Sequence, residues 1–245
     1  MNIAIGYAIE PYMNVQGTIA YREPVRLTVD AFLLLSTRGC LSAFSKSELL
    51  DGEIFGVPVD SKSDGSVPVK LRIQAYRLLA EADLLGSEDR SELVDGDIFL
   101  MSPQHRPHGF VKDEIAYRLR RALENAGNSL HVATEQSVEI PPHSEPQPDL
   151  ILTSEPRGAG AIPVASVALL AEISANTLDF DLVDKALVYA RAGVPEYWVV
   201  DVAGRCVHQM WDPKYGSYLQ KRVLGFGEVL VAITIAGLDI STADL

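Results

Sequence analysis

The strongest constraint on the fold is an internal repeat. Residues 25–59 and 69–103 align without a gap at an offset of 44. Matching pairs include Leu27/Leu71, Ala31/Ala75, Leu35/Leu79, Glu48/Glu92, Asp51/Asp95, Gly52/Gly96 and Ile54/Ile98. Each copy reads first as a short amphipathic helix, with Leu71, Ala75, Leu78 and Leu79 at helical spacing in the second. A strand, an Asp-Gly turn and a second strand follow. Asp-Gly between apolar runs signals a hairpin, because both turn positions tolerate positive φ. Two copies are too few for a solenoid. The plain reading is a duplicated helix–hairpin unit that extends a sheet or an interface. Segment 60–68 is polar and rich in Gly and Ser, and reads as the linker between copies.

Beyond residue 105 the pattern changes. Segment 108–126 predicts a helix, with Val111, Ile115, Leu119 and Leu123 on one stripe and Gly127 as its stop. Strand-like segments follow at 130–140, 149–153 and 167–173. A helix at 180–192 ends at Gly193, and strands at 196–201 and 205–211 come next. A turn over 212–216 leads to a strand at 217–223, and the tail over 228–240 is apolar with short breaks. Strands and helices in this order predict an α/β fold with a mixed sheet and helices on its faces.

Composition narrows the function. The chain has 245 residues, 21 Lys and Arg against 33 Asp and Glu, and a net charge of −12. That deficit argues against coating nucleic acid through bulk positive charge, though not against one local patch. Cys40 and Cys206 lie far apart, in neither a CxxC nor a Cys/His cluster. A disulfide framework and a zinc finger are disfavoured, and a reducing cytoplasm fits best. Segment 1–14 lacks the basic region and apolar run of a signal peptide. Apolar stretches such as 167–171 are too short to span a bilayer, so no membrane partner is expected.

GxSxG, GK[ST] and GxGxxG motifs and HExxH are all absent. His105 and His108 are three apart, with no Cys or third His beside them. What remains is a carboxylate pattern. Asp149 follows Pro148 and opens an apolar strand, and Glu172 ends another. Two such carboxylates on neighbouring strands can share a hard divalent cation, because Mg²⁺ prefers oxygen ligands and takes one or two protein carboxylates. Lys185, thirteen residues after Glu172, can reach the same edge and stabilise developing charge. Each has a bland alternative. Asp149 can be a turn carboxylate after proline. Lys185 can form an i,i+4 pair with Asp181. For Glu172 the alternative is weaker, since an acid directly after a buried apolar run is costly unless paired, exposed or metal-bound.

The run from Pro148-Asp149 through Glu172-Ile173-Ser174, Thr177, Asp181, Lys185 and Tyr189 to 193–198 and Asp201 resembles the Uma-type putative restriction endonuclease family, a branch of the PD-(D/E)xK nuclease superfamily. Glu92, Asp95-Gly96, Ser102-Pro103 and His108 extend the resemblance upstream, over roughly residues 70–240. It implies a restriction-endonuclease-like mixed sheet flanked by helices. It also implies a Mg²⁺ or Mn²⁺ site built from Asp149 and Glu172, assisted by Lys185, with Glu92 as a further acidic position. The superfamily's lysine usually sits two residues after the second acid, where this chain has Ser174. Lys185 on the following helix is the implied replacement. The other departure is the extra copy, so residues 1–68 are expected to be an extension and 69–245 the nuclease domain. Glu48 mirrors Glu92, but no second Asp149 or Glu172 accompanies it, and a structural or regulatory role is expected for that copy.

The expected function is metal-dependent endonucleolytic hydrolysis of DNA. The alternative is a non-catalytic binding or regulatory protein on the same fold, acting through dimerisation, with a second copy of the chain as partner. Tyr189, Tyr197 and Trp198 are expected to pack helix on sheet. His108 is either a cap-region residue or a phosphate contact. Residues 1–104 and 105–245 each carry −6, so no basic domain exists to hold DNA. Segment 106–121, with Arg106, Lys112, Arg118, Arg120 and Arg121 against two acids, is locally +3. Weak, salt-sensitive and metal-dependent DNA contact is therefore expected.

Overall fold

The computed structural model describes residues 22–61, 65–86, 90–101 and 104–245. Segment 1–14, the middle of the linker and Ser102-Pro103 lie outside the described residues.

The first repeat segment forms α1 (Val29–Thr37), β1 (Phe44–Leu50) and β2 (Glu53–Pro58), with β3 (Val67–Pro68) added to the hairpin. The second forms α2 (Ile73–Glu81), β4 (Ser91–Val94) and β5 (Asp97–Leu100). Thr28 caps α1 by accepting the Ala31 amide at 3.2 Å. Both turns use an Asp and a Gly at positive φ, Asp51-Gly52 and Asp95-Gly96. A Cβ on Gly52 would sit 2.6 Å from Arg26 Cβ, and one on Gly96 2.6 Å from Lys70 Cβ. Both turns are therefore closed to larger residues. The two segments share one apolar cluster, in which Ala31, Leu35 and Ile54 meet Ala75, Leu79 and Ile98. They also exchange backbone bonds. Val25 N donates to Ile98 O at 2.7 Å, and Val69 N donates to Ile54 O at 2.8 Å. This core draws on residues on both sides of position 68.

Next come α3 (Arg106–Asn125), β6 (His131–Thr134), β7 (Val138–Glu139), β8 (Leu150–Thr153), β9 (Ile162–Pro163) and β10 (Val167–Ser174). The expected strand over 130–140 is broken, because Glu135 takes positive φ between β6 and β7. The second helix, 178–191, comes in three pieces. They are α4 (Leu178–Phe180), a π-helical turn (Asp181–Lys185) and α5 (Ala186–Arg191), with Gly193 at positive φ beyond. Then follow β11 (Glu196–Asp201), β12 (Cys206–Lys214), β13 (Ser217–Gly225), β14 (Val229–Val231) and β15 (Asp239–Ser241). The turn between β12 and β13 lies at Tyr215-Gly216, and Asp212 stays within β12.

The main sheet has the order β13-β12-β11-β10-β8-β6. Only β10 and β11 are parallel neighbours in it, joined through the π-containing helix. The sheet is thus mixed, as expected. Side-chain alternation divides it between two cores. Leu170, Tyr197, Val199 and Met210 face Phe180, Tyr189 and Val188. Leu169, Ala171, Ile173, Trp198 and Val200 face Val111, Ile115, Leu119 and Leu123 of α3. Each fully buried α3 side chain contributes about 2 kcal/mol of burial. Glu172 sits between Ala171 and Ile173 in β10, so it points to the opposite face from α3, toward the π turn.

Candidate metal and phosphodiester site

Asp149, Glu92 and Glu172 come from the sheet and hairpin strands or the residue before one, and Asp181 and Lys185 from the two ends of the π turn. Asp149 immediately precedes β8, and its Oδ2 accepts the Ile173 amide of β10 at 2.8 Å. That bond ties the first acid to the residue beside the second. His108 Nε2, from the first turn of α3, lies 3.2 Å from the Asp149 carboxylate. His108 Nδ1 is buried and, among the described residues, has no hydrogen-bond partner.

Lys185 Nζ sits 3.0 Å from both Glu172 Oε1 and Glu92 Oε2. The i,i+4 pair with Asp181 is not formed. The intervening turn is π-helical, and residues four apart no longer stack as on an α-helix. Asp181 instead accepts the Thr177 hydroxyl at 2.6 Å. Tyr189 OH donates to Glu172 Oε1 at 2.9 Å, so this tyrosine does more than pack. Tyr197 OH donates to the Asp181 carbonyl at 2.9 Å. Tyr189, Tyr197 and Trp198 are fully buried, which places them in packing and out of reach of bases.

Glu92, in β4, is fully buried, with 0% exposure. Its Oε1 lies 2.8 Å from Arg22 Nη1, and its Oε2 accepts the Gln147 amide at 3.2 Å. Burial pushes its pKa up, but Lys185 and Arg22 outweigh that and hold it below the usual carboxylate value. Glu172 behaves oppositely. Burial raises it well above the usual range, only partly offset by Lys185, and Asp181, Asp149 and Glu92 push it further up. Burial also lifts Asp181 to about 6. Burial alone would lower Lys185, but Glu172, Glu92 and Asp181 keep it well above its ordinary value, so it stays charged.

All four sequence-derived residues, Asp149, Glu172, Lys185 and Glu92, line one cavity of about 90 Å³. That is room for roughly three waters. Asp181, His108, Gln147 and Arg22 also line it. Sequence reasoning missed Asp181 and Arg22 as site residues. Asp181 carried a signal, being four residues before Lys185 in a buried helix. Arg22 carried none, since its partner is 70 positions away. The carboxylates that line the cavity, Glu92, Asp149, Glu172 and Asp181, offer only oxygen. Donor type and charge both fit a hard divalent cation.

Two of the five basic residues of segment 106–121 are engaged inside the molecule. Lys112 is buried against Glu135 and Gln104. Arg118 holds Glu114 and the carbonyls of Ser241 and Ala243. Arg106, Arg120 and Arg121 remain exposed.

A second donor group also appears. Asp201, Cys206 and His208 place ligand atoms within 4.8 Å of one another on β11 and β12. Cys206 thus does belong to a Cys/His pair, with Sγ 3.7 Å from His208 Nε2. The i,i+2 spacing of a strand puts both on one face. Asp201 Oδ1 is already the turn cap, accepting the Gly204 amide at 2.7 Å.

A family model described as "Uma2: Putative restriction endonuclease" matches residues 73–243. Among solved structures, a "putative nuclease belonging to DUF820" from Anabaena variabilis superposes with a TM-score of 0.52. The two share 16% identity, over 66% of this chain and 92% of that one, so the likeness speaks for the fold alone. No curated protein matches the chain.

Proposed function

The chain belongs to the Uma2 family, whose description is "putative restriction endonuclease", and on that premise we propose that it is a metal-dependent endonuclease that hydrolyses DNA phosphodiesters. The observation that carries this reading is Lys185, held between two buried acids in a cavity that also contains Asp149. Such a concentration of buried charge is costly unless it serves chemistry or is well paired.

On this reading Asp149 and Glu172 hold Mg²⁺ or Mn²⁺. When bound, the cation supplies Lewis acidity and an activated water. Lys185 stays protonated, so it acts by electrostatics and hydrogen bonding, not as a base. Glu92 holds Lys185 as a second acid beside Glu172. Tyr189 fixes the Glu172 rotamer and leaves its second oxygen for the cation. His108 orients Asp149. Residues 69–245 form the nuclease domain and 1–68 the extension. The small cavity takes only the scissile phosphate, with the rest of the DNA lying across its mouth.

A second reading has one observation in its favour. Lys112 and Arg118, two of the five basic residues of segment 106–121, are engaged internally and withdrawn from DNA. A non-catalytic binding or regulatory protein, acting through dimerisation, would suit that surface. Incubating the full chain with supercoiled and single-stranded DNA and Mg²⁺ or Mn²⁺, beside Glu172→Ala, separates the two. The nuclease reading expects cleavage that EDTA stops and that the variant loses by about 100-fold or more. Equal cleavage by both proteins would mark contamination and remove the site assignment. No cleavage on any substrate would favour the second reading.

A further inference from the structure

We propose that Arg22 is a phosphate-contacting residue of this site, delivered by the N-terminal extension. The proposal rests on the phosphodiesterase reading of the cavity and names the group that receives the substrate's charge.

Delivery begins at the backbone. Beside Asp97–Leu100, the Val25 amide donates to the Ile98 carbonyl at 2.7 Å. Arg22 Nη2 donates to the Leu100 carbonyl further along the same strand. Residues 22–25 of the extension thus run along the edge of β5, with Arg22 at the cavity. Two aromatic rings then set the guanidinium. Its carbon lies 5.1 Å from the Phe180 centroid and 5.8 Å from that of Phe99. The rings touch each other at 4.8 Å. Cation–π attraction of this kind is worth roughly 0.5–2 kcal/mol and fixes orientation as well as position. Nη1 completes the placement at 2.8 Å from Glu92 Oε1.

Lys185 is shared between Glu92 and Glu172, at 3.0 Å from each, and Arg22 is the second cation in a cavity lined by Glu92, Asp149, Glu172 and Asp181. Its side chain is 16% exposed, against 4% for Lys185. It is the more accessible of these two cations for an anion entering the cavity. A guanidinium carries five N–H donors, and Glu92 and Leu100 take two of them. The planar fork suits phosphate oxygens better than an ammonium does. Arg22 lies outside the family-matched span of residues 73–243, so the extension supplies a contact that the matched segment does not encode.

The test uses the full chain and the variants Arg22→Gln and Arg22→Lys. Arg26→Gln serves as control, since Arg26 pairs with Glu53 on an exposed surface. Binding of a fluorescein-labelled DNA duplex is followed by anisotropy in Ca²⁺ across a salt series. Cleavage kcat and KM are measured in Mg²⁺. Losing one charge-assisted phosphate contact predicts about tenfold or more weaker binding for Arg22→Gln. It also predicts a salt dependence shallower by about one ion. Arg22→Lys should keep the salt slope and lose about threefold in affinity, because the charge remains and the fork is gone. Arg26→Gln should match wild type in both. Unchanged affinity and slope in a folded Arg22→Gln would overturn the proposal. If that variant does not fold, Arg22→Lys decides, and wild-type affinity there overturns it. A wild-type chain that binds the duplex but never cleaves it sinks the nuclease reading, while the binding comparison still decides Arg22. A wild-type chain that does not bind overturns both.

Discussion

Glu48 and Glu92 occupy equivalent positions in the repeat, opposite Phe55 and Phe99 in their hairpins. Their surroundings could hardly differ more. The Glu48 side chain is 43% exposed, and among the described residues its one ion pair is with Lys46 at 3.8 Å. Glu92 is fully buried between Lys185 and Arg22. The local structure is nearly the same in both segments. Leu27 N donates to Gly52 O at 2.8 Å, and Leu71 N to Gly96 O at 2.9 Å. Arg26–Glu53 and Lys70–Asp97 are matching ion pairs. Short-range sequence therefore builds the same hairpin twice. Only the second lies against the π-containing helix that supplies Lys185, and that neighbour turns an ordinary strand glutamate into a site residue.

The largest effect that can break this contrast comes from paired substitutions. Glu92→Gln leaves Lys185 with one acid fewer in a buried site. It should cost about 3 kcal/mol of stability and lower the cleavage rate about 100-fold through a displaced Lys185. Glu48→Gln should change neither measurably, because exposed pairs contribute little. Chemical denaturation and nicking assays on both variants check this, and equal effects would dissolve the contrast. The turn glycines sharpen it from the other side. Gly52→Ala and Gly96→Ala face the same positive φ and the same 2.6 Å clash. Each should lose about 2 kcal/mol. Denaturation midpoints that differ widely would show that the two hairpins do not carry equal structural weight.

A smaller effect follows from the raised acids. Folded Asp181 keeps its proton up to about pH 6, whereas its ordinary value is 3.8. Between those values the folded state binds more protons than the unfolded one. Stability from this group is complete below about pH 4 and is lost as pH rises through about 6. Glu172, raised in the same direction, adds to the slope. In EDTA, melting temperature should fall between about pH 4 and 6. Asp181→Asn should flatten that fall and gain on the order of 1–2 kcal/mol at neutral pH. A slope left intact in the variant would show that Asp181 is not the group responsible.

Much of the frame was legible in the sequence because it is written locally. The α3 stripe, the Asp-Gly turns and the strands flanking the π-containing helix depend on spacing within a few residues. Asp149 and Glu172 were legible because each stands where an apolar strand ends, and an acid there needs a reason. Lys185 was legible as a lysine thirteen residues after Glu172 that could reach the same sheet edge, with an i,i+4 pair to Asp181 as the bland alternative. Its true partners, Glu172 and Glu92, are 13 and 93 positions away, and a π turn redirects it. Arg22 was illegible, since cation–π stacking and a bond to a distant strand leave no local pattern. In the basic segment 106–121 the internal partners of Lys112 and Arg118, at Glu135 and at the carbonyls of Ser241 and Ala243, were illegible for the same reason.

The central claim is that Asp149 and Glu172 hold one divalent cation beside Lys185. Titrating the metal-free full chain with Mn²⁺ and following bound metal by electron paramagnetic resonance tests it most directly. The account predicts a single tight site in wild type and Glu48→Gln, lost in Asp149→Asn and Glu172→Gln. Equal Mn²⁺ binding in all four proteins, or none in wild type, would contradict it.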